Sequence, residues 1–193
     1  MDDSLKDDGD MKEAWEFVDV KVEALTLSQQ GFALLLRPPD EERVLPIFIG
    51  VPEAQSIAQA LEGEAFPRPL THDLFKTALE ALGAEVVRVQ IVHMQEQTFH
   101  ANLVLLSGGD ELELDARPSD AIALALRFDA PIQVRQDSWD AGSTPSEIEG
   151  AHKGGASNAR ELLEKRLKRA VEAEHYEEAA RLRDELKRLG GGN

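Results

Sequence analysis

The chain contains no cysteine among its 193 residues. This absence excludes a disulfide framework, a thiolate zinc site and a cysteine nucleophile, and it fits a reducing compartment. No apolar run approaches the roughly 20 residues that span a bilayer, and the first residues contain no basic region followed by an apolar core. We therefore expect a soluble cytoplasmic protein without membrane contact.

Positive charge is scarce in most of the chain. Residues 1–150 contain 11 Lys and Arg against 29 Asp and Glu, a net charge of −18, whereas residues 151–193 carry +2. Such an acidic body repels nucleic-acid phosphates at long range, which argues against a general nucleic-acid coat protein. It does not exclude a local site in which carboxylates hold divalent cations that bind phosphate.

Short apolar runs separated by turn residues predict strands through most of residues 15–136. Two stretches instead place apolar residues at three- and four-residue spacing and predict helices, from Gly50 to Gly63 and from Thr71 to Gly83. An almost unbroken apolar run predicts a third, buried helix at 118–128. Strands and helices alternate incompletely, so we expect an α+β domain with a mixed or antiparallel sheet and about three packed helices. The apolar side of the second helix contains Leu74, Phe75, Ala78, Leu79 and Leu82.

Both ends of the chain differ in composition from this domain. Residues 1–14 are polar and predicted to be disordered, and residues 137–158, rich in Gly, Ser, Pro and charge, are predicted to be a flexible linker. Beyond the linker, two apolar stripes follow each other in different phase, with a break near His175. They predict either two helices or one long helix. A helix with so narrow an apolar stripe is not stable alone. The segment must therefore fold back on itself or bind a partner.

Four ionisable groups surround the start of the predicted third helix. Pro118 suits the first helical position, and Ser119 or Asp120 can accept hydrogen bonds from the free amides of the first turn. A helix start carries partial positive charge, which stabilises carboxylates or a bound phosphate. A purely structural arrangement explains the same residues, with Asp120 as the cap and Arg117 paired with Asp115.

The start of the second helix repeats this chemistry. Thr71 is a plausible N-cap, which leaves His72 and Asp73 in the first turn and Arg68 just ahead of it. Histidine acts as a general base near neutral pH or donates to a phosphate, and an adjacent carboxylate can orient it or bind a metal. The simpler alternative is a surface histidine next to an aspartate that complements the helix dipole.

Three segments in order resemble the bifunctional nuclease domain family over roughly residues 15–136. We call them the first block (residues 46–54, PIFIG followed by Glu53-Ala54), the second block (68–74, RPLTHDL) and the third block (115–125, DARPSDAIALA). The resemblance implies cleavage of both DNA and RNA without strong sequence preference. It also implies the fold of that family.

The C-terminal segment is similar to the UVR motif of excision-repair nuclease subunits and of some stress-protein adaptors. The similarity begins at Leu162 and continues through Leu186. It implies an antiparallel helical hairpin over 159–190 that pairs with another copy or with a partner protein.

One hypothesis is a metal-assisted phosphodiesterase. Hydrolysis needs an activated water and neutralised charge in the transition state, and Mg²⁺ or Mn²⁺ held by carboxylates supplies both. The candidate catalytic and metal-binding carboxylates are Asp73, Asp115 and Asp120, with Glu53 as a weaker fourth, and His72 is the candidate general base or acid. The candidate contacts to the substrate are Arg68, Arg117, Ser119 and Arg127, since arginine suits bidentate phosphate recognition. The hypothesis requires the two helix starts to converge.

The alternative is a non-catalytic protein in which the domain is a dimeric scaffold and the UVR-like tail recruits a partner, as in a stress or repair adaptor. The acidic body and the lack of a surface that combines aromatic and basic residues favour it. The charged cluster would then be a salt-bridge network that locks turns or a subunit interface.

Overall fold

The computed structural model describes residues 15–28, 31–63, 66–96 and 98–145, and in the C-terminal part 163–164, 167–168, 170–171 and 175–190. The segment 1–14, predicted to be disordered, and residues 146–158 of the predicted linker lie outside the described residues. Within those ranges, no helix is long and apolar enough to cross a membrane.

Eight strands form one mixed sheet. They are β1 (Phe17–Ser28), β2 (Gly31–Arg37), β3 (Arg43–Ile49), β4 (Ala84–Gln95), β5 (Thr98–Ser107), β6 (Asp110–Ala116), β7 (Ile132–Arg135) and β8 (Thr144–Pro145). Their order is β6-β5-β4-β7-β1-β2-β3-β8. Only the pair β4 and β7 is parallel, and the other neighbours are antiparallel. This confirms the prediction of an α+β fold, with strands at all the predicted apolar runs.

Five helices have both ends within the described residues: α1 (Val51–Glu62), α2 (Thr71–Ala81), α3 (Pro118–Phe128), α4 (Gln136–Gly142) and α5 (Tyr176–Gly190). Helix α3 is central, because it contacts α1, α2, β4 and β5. Its residues 121–125 are at most 4% exposed. An almost unbroken apolar sequence is therefore required there, since neighbours cover the helix on several sides.

The observed helix boundaries agree with the sequence prediction better than the observed capping residues do. Pro118 lies in the first turn of α3 as predicted, but the residue before the helix is Arg117, without a side-chain cap hydrogen bond. Thr71 is likewise not the N-cap of α2, because it is already helical. The carboxylate of Asp73 instead accepts a hydrogen bond of 2.9 Å from the backbone N–H of Leu70.

The predicted linker begins later than expected. Residues 136–142 form α4, in which Trp139 is 1% exposed, and Thr144–Pro145 pair with β3 as β8. Regular structure therefore continues past the predicted domain end at residue 136. One large aromatic residue among polar ones gives no helical period, so the sequence pattern misses a short helix that is held by its packing.

The apolar side of α2 is mostly uncovered. Leu79 is buried, but Leu74, Phe75 and Leu82 are 59%, 43% and 79% exposed. Much of the predicted apolar side of this helix is therefore exposed. Among the described elements, α2 makes most of its contacts with α3 and β4.

The described tail residues confirm the break between the two apolar stripes. Residues 170–171 are helical, His175 is not, and α5 begins at Tyr176. Leu163 and Ala170 of one stripe and Ala179 and Leu182 of the other are at most 5% exposed. These four residues are therefore buried, and α5 contacts α1.

Candidate functional site

Arg117 joins the first block to the third. Its Nε donates to Asp120 Oδ2 at 2.7 Å and its Nη1 donates to Glu53 Oε1 at 2.8 Å, although the two carboxylates are 67 residues apart in sequence. These hydrogen bonds raise the pKa of Arg117. The expected pairing of Arg117 with Asp115 is not formed, because Asp120 and Glu53 hold the guanidinium. Two of its five N–H groups make these bonds, and the side chain is 66% exposed.

His72 joins the second block to the same cluster. Its Nε2 lies 3.5 Å from Asp120 Oδ1, and its Nδ1 lies 2.8 Å from the hydroxyl of Ser56 in α1. Burial, and after it the positive charge of Arg127, lowers the pKa of His72 from its ordinary 6.5, and the opposing effect of Asp120 does not cancel the shift. The neutral imidazole is therefore favoured. The starts of α2 and α3 lie side by side, as the hypothesis of a single site requires.

Arg127 connects α3 to α2 from inside the protein. Its Nε donates to Asp73 Oδ1 at 2.6 Å, and its Nη1 donates to the carbonyls of Ala123 and Ser56. Burial opposes ionisation of Asp73, but hydrogen bonds from Arg127 and the Leu70 N–H outweigh it and lower the pKa. The Arg127 side chain is only 9% exposed. The structure therefore gives it little surface for the predicted phosphate contact and makes it a link between helices.

Asp115 lies away from this cluster. It is in register with Asn102 of β5, whereas the next residue, Ala116, is in register with the fully buried Ala101. Successive strand side chains point to opposite faces, so Asp115 points away from the core and from α3. Its predicted place beside Asp120 is not what the structure shows. Arg68 is exposed ahead of α2.

The predicted metal ligands do not form a ready cation site. Asp73 and Asp120 are each bonded to an arginine, and Asp115 is on the other face of the sheet. In the ranges that the structure describes, no three His, Asp or Glu side chains are grouped to hold a metal ion. A hard cation needs several free oxygen ligands. This arrangement therefore does not fit a metal held by the protein alone, and Mg²⁺ or Mn²⁺ stays a prediction.

The cluster opens on one side into a cavity of about 520 Å³. Glu53, Arg117 and Ser119 contribute to its wall, together with residues of β3, β5 and α4. Ser119, a predicted substrate contact, is 7% exposed at the start of α3. The cavity gives the cluster access to a ligand.

Ser56 is not among the site residues predicted from the sequence. It follows Glu53 by three residues on α1, and residues at this spacing share one face of a helix. Because Glu53 was already a candidate metal ligand, its three-residue spacing to Ser56 was the signal that could have identified Ser56. Gly50 supports the same corner, because a Cβ there would come within 2.5 Å of Glu53 Oε2. The glycine thus leaves space for the carboxylate that holds Arg117.

Fold and site together define an α+β domain that gathers a histidine, carboxylates and arginines from three separate segments at its helix ends. The model of the bifunctional nuclease domain matches residues 34–147. The chain belongs to the bifunctional nuclease family. A second model, the UvrB/uvrC motif, matches residues 158–191. Both resemblances seen in the sequence are confirmed, and the first match includes α4.

Several curated proteins are similar to the chain. An uncharacterised protein of Mycobacterium tuberculosis is 46% identical over 103 residues, covering 53% of this chain and 61% of that protein. Bifunctional nuclease 1 of Oryza sativa subsp. indica is 32% identical over 178 residues, covering 80% and 54%. Bifunctional nuclease 2 of Arabidopsis thaliana is 26% identical over 166 residues, covering 74% and 50%. The chain spans between half and about three fifths of the length of these relatives.

Proposed function

We propose that this chain hydrolyses phosphodiester bonds of DNA and RNA at the cluster around Arg117. The observation that carries the proposal is the continuous contact from Glu53 through Arg117 and Asp120 to His72. It joins the three blocks that characterise the family resemblance. The rice and Arabidopsis relatives are named bifunctional nucleases, which supports the same activity.

Each residue has a role that its contacts support. Arg117 is exposed and stays charged, so its free N–H groups bind the phosphate. In the reactive tautomer of this proposal, Nδ1–H of His72 donates to the Ser56 hydroxyl, and Nε2, which faces Asp120, takes a proton from the attacking water. Asp120 stabilises the imidazolium that forms and also orients Arg117. This tautomer is part of the proposal, because the Ser56 hydroxyl can either accept from or donate to Nδ1.

Replacement of Arg117 or Asp120 tests the proposal. We expect Arg117→Gln and Asp120→Asn to lower kcat by about 10²–10³-fold on single-stranded RNA and DNA, the cost of removing one preorganised electrostatic contact. Asp115→Asn is the matched carboxylate control, and Arg88→Gln is the matched arginine control, since Arg88 pairs with Glu111 outside the cluster. Both controls should keep kcat within about threefold of the unchanged chain, because neither substitution removes an electrostatic contact of the cluster.

Two results would contradict the proposal. Cleavage that persists in Arg117→Gln and Asp120→Asn would come from a contaminant or from another site. A pure chain that cleaves no strand, with Mg²⁺, Mn²⁺ or chelator, would give the cluster a structural role and favour the scaffold alternative. Comparing the three buffers decides the metal prediction separately, because a cation brought with the substrate phosphates needs few protein ligands.

We further propose that the tail makes a protein contact with a second copy of this chain, giving a dimer. The match to the UvrB/uvrC motif supports a role in protein contact. Val171 and Tyr176, on either side of the break at His175, are 47% and 69% exposed, so apolar surface is available there. The absence of cysteine supports a cytoplasmic location for this assembly.

Sedimentation equilibrium tests the dimer. We expect the full chain to self-associate and the double variant Val171→Ser, Tyr176→Ser to weaken association at least about tenfold, because truncating buried contact residues costs about 1–2 kcal/mol each. Leu82→Ser, on the exposed side of α2, is the control and should associate as the unchanged chain does. A chain that stays monomeric at every concentration, or equal effects of both variants, would overturn the proposal.

A further inference from the structure

The cavity beside Arg117 has aromatic lining residues to which the proposed hydrolysis assigns no role. Besides Glu53, Arg117 and Ser119, its lining includes Phe48 of β3 and Phe99 of β5. Its volume of about 520 Å³ falls within the roughly 300–1,000 Å³ of small-ligand pockets. An aromatic surface next to an arginine matches the two halves of a nucleotide, the flat base and the charged phosphate.

Phe48 is an exposed aromatic residue in the cavity lining. It is 53% exposed, while the preceding Ile47 is 5% exposed. Its neighbours along the cavity are apolar, including Pro46 and Met94. Exposed apolar surface bordered by polar groups is a mark of a binding surface.

Phe99 also lines the cavity, and Gly142 lies next to its ring. A Cβ at residue 142 would lie 2.8 Å from Phe99 Cζ and 2.7 Å from Leu45 Cδ1. Leu45 is fully buried, so a side chain at residue 142 would displace Leu45 or the Phe99 ring. The bare backbone at Gly142 thus keeps the space beside the ring open.

The charge of the protein limits which nucleic acid fits. With a net charge of −18 over residues 1–150, an extended run of phosphate contacts along a duplex is unfavourable. Binding must then come from a local contact, and stacking on aromatic side chains supplies one that every base can make. A duplex keeps its bases paired and stacked, whereas a single strand can turn one base into a pocket.

We propose that the cavity binds one unstacked base of a single-stranded nucleic acid on Phe48, next to a phosphate held by Arg117. The inference rests on the proposed nuclease function and adds its substrate class. It makes Phe48 a residue that selects single strands over duplexes. Sequence preference is weak, because the contact is to the face of the base.

Substitution of Phe48 tests this selection. Initial-rate kcat/KM is measured on a short DNA strand and on the same strand in a duplex, and quenching of a 2-aminopurine in the single strand reports stacking directly. We expect the unchanged chain to prefer the single strand at least about tenfold. Phe48→Ala should lower kcat/KM on the single strand by about 5- to 140-fold, equivalent to about 1–3 kcal/mol per stacked base, with little change on the duplex. Phe48→Trp should restore both readouts.

Phe75→Ala is the matched control, since Phe75 is 43% exposed on α2 and does not line the cavity. Equal rates on single strand and duplex, or equal effects of Phe48→Ala and Phe75→Ala, would overturn this inference while leaving the nuclease proposal intact. The nuclease proposal fails separately if Arg117→Gln retains full activity. Far-UV circular dichroism with thermal melting confirms that each variant is folded.

Discussion

Replacement of His72 by glutamine is expected to lower kcat of the phosphodiesterase by about 10²–10⁴-fold, the usual contribution of a general base. Glutamine keeps a polar group near Ser56 and Asp120, so the local hydrogen bonds are largely retained. It cannot accept a proton in the transition state. The measurement is single-turnover cleavage of a single-stranded oligonucleotide, which separates the chemical step from product release.

The pH profile gives this prediction a second readout. The pKa of His72 lies below its ordinary 6.5 because burial and the charge of Arg127 disfavour the imidazolium. The base is therefore competent at pH 7, and kcat/KM falls as the pH drops through the lowered pKa, below 6.5. Asp120 raises the pKa of His72, so Asp120→Asn should move this acid limb to still lower pH. In His72→Gln the limb should disappear from the residual activity.

A second histidine provides the control. His93 stacks on His100 with ring centroids 4.5 Å apart, and neither ring contacts the cluster around Arg117. His93→Gln should keep kcat within about twofold and leave the acid limb in place, because the lost group is not the base. An acid limb that survives in His72→Gln would show that another group titrates and would overturn the role of His72.

Local patterns predicted most of the fold because they depend on neighbours in sequence. The three- and four-residue apolar spacing in α1, for example, reports which side chains face the core. Trp139 shows where this fails. Its helix is short and otherwise polar, and it is held by packing against strands far away in the chain. Nothing in the local pattern encodes that contact.

The site was predictable as a set of residues and less so as an arrangement. The helix starts identified His72 and Asp120, but the sequence could not show that Arg117 would choose Glu53 over the nearby Asp115. That choice follows from the strand pleat, which turns Asp115 to the opposite face. The buried position of Arg127 depends on the packing of α2 on α3. Long-range packing, absent from any local pattern, therefore decided which charges pair.

The burial of Trp139 predicts the largest effect on stability. Trp139 is 1% exposed, and its Nε1 donates to Glu41 Oε2 at 3.2 Å. Trp139→Ala should lower the free energy of unfolding by about 3–5 kcal/mol, the usual cost of removing a large buried aromatic side chain. Such a loss is a large part of the roughly 5–15 kcal/mol that stabilises a domain. Urea unfolding followed by far-UV circular dichroism measures it, since the substitution also removes a fluorophore.

The other tryptophan is the matched control for this prediction. Trp15 is 55% exposed, and the guanidinium of Arg135 lies 4.4 Å from its ring centroid. Trp15→Ala should cost only about 0.5–1 kcal/mol, the worth of an exposed cation–π contact. Equal costs for the two substitutions would mean that α4 is not part of the folded core. The larger cost at Trp139 would instead establish that the domain continues through α4, where the cavity wall also ends at Gly142.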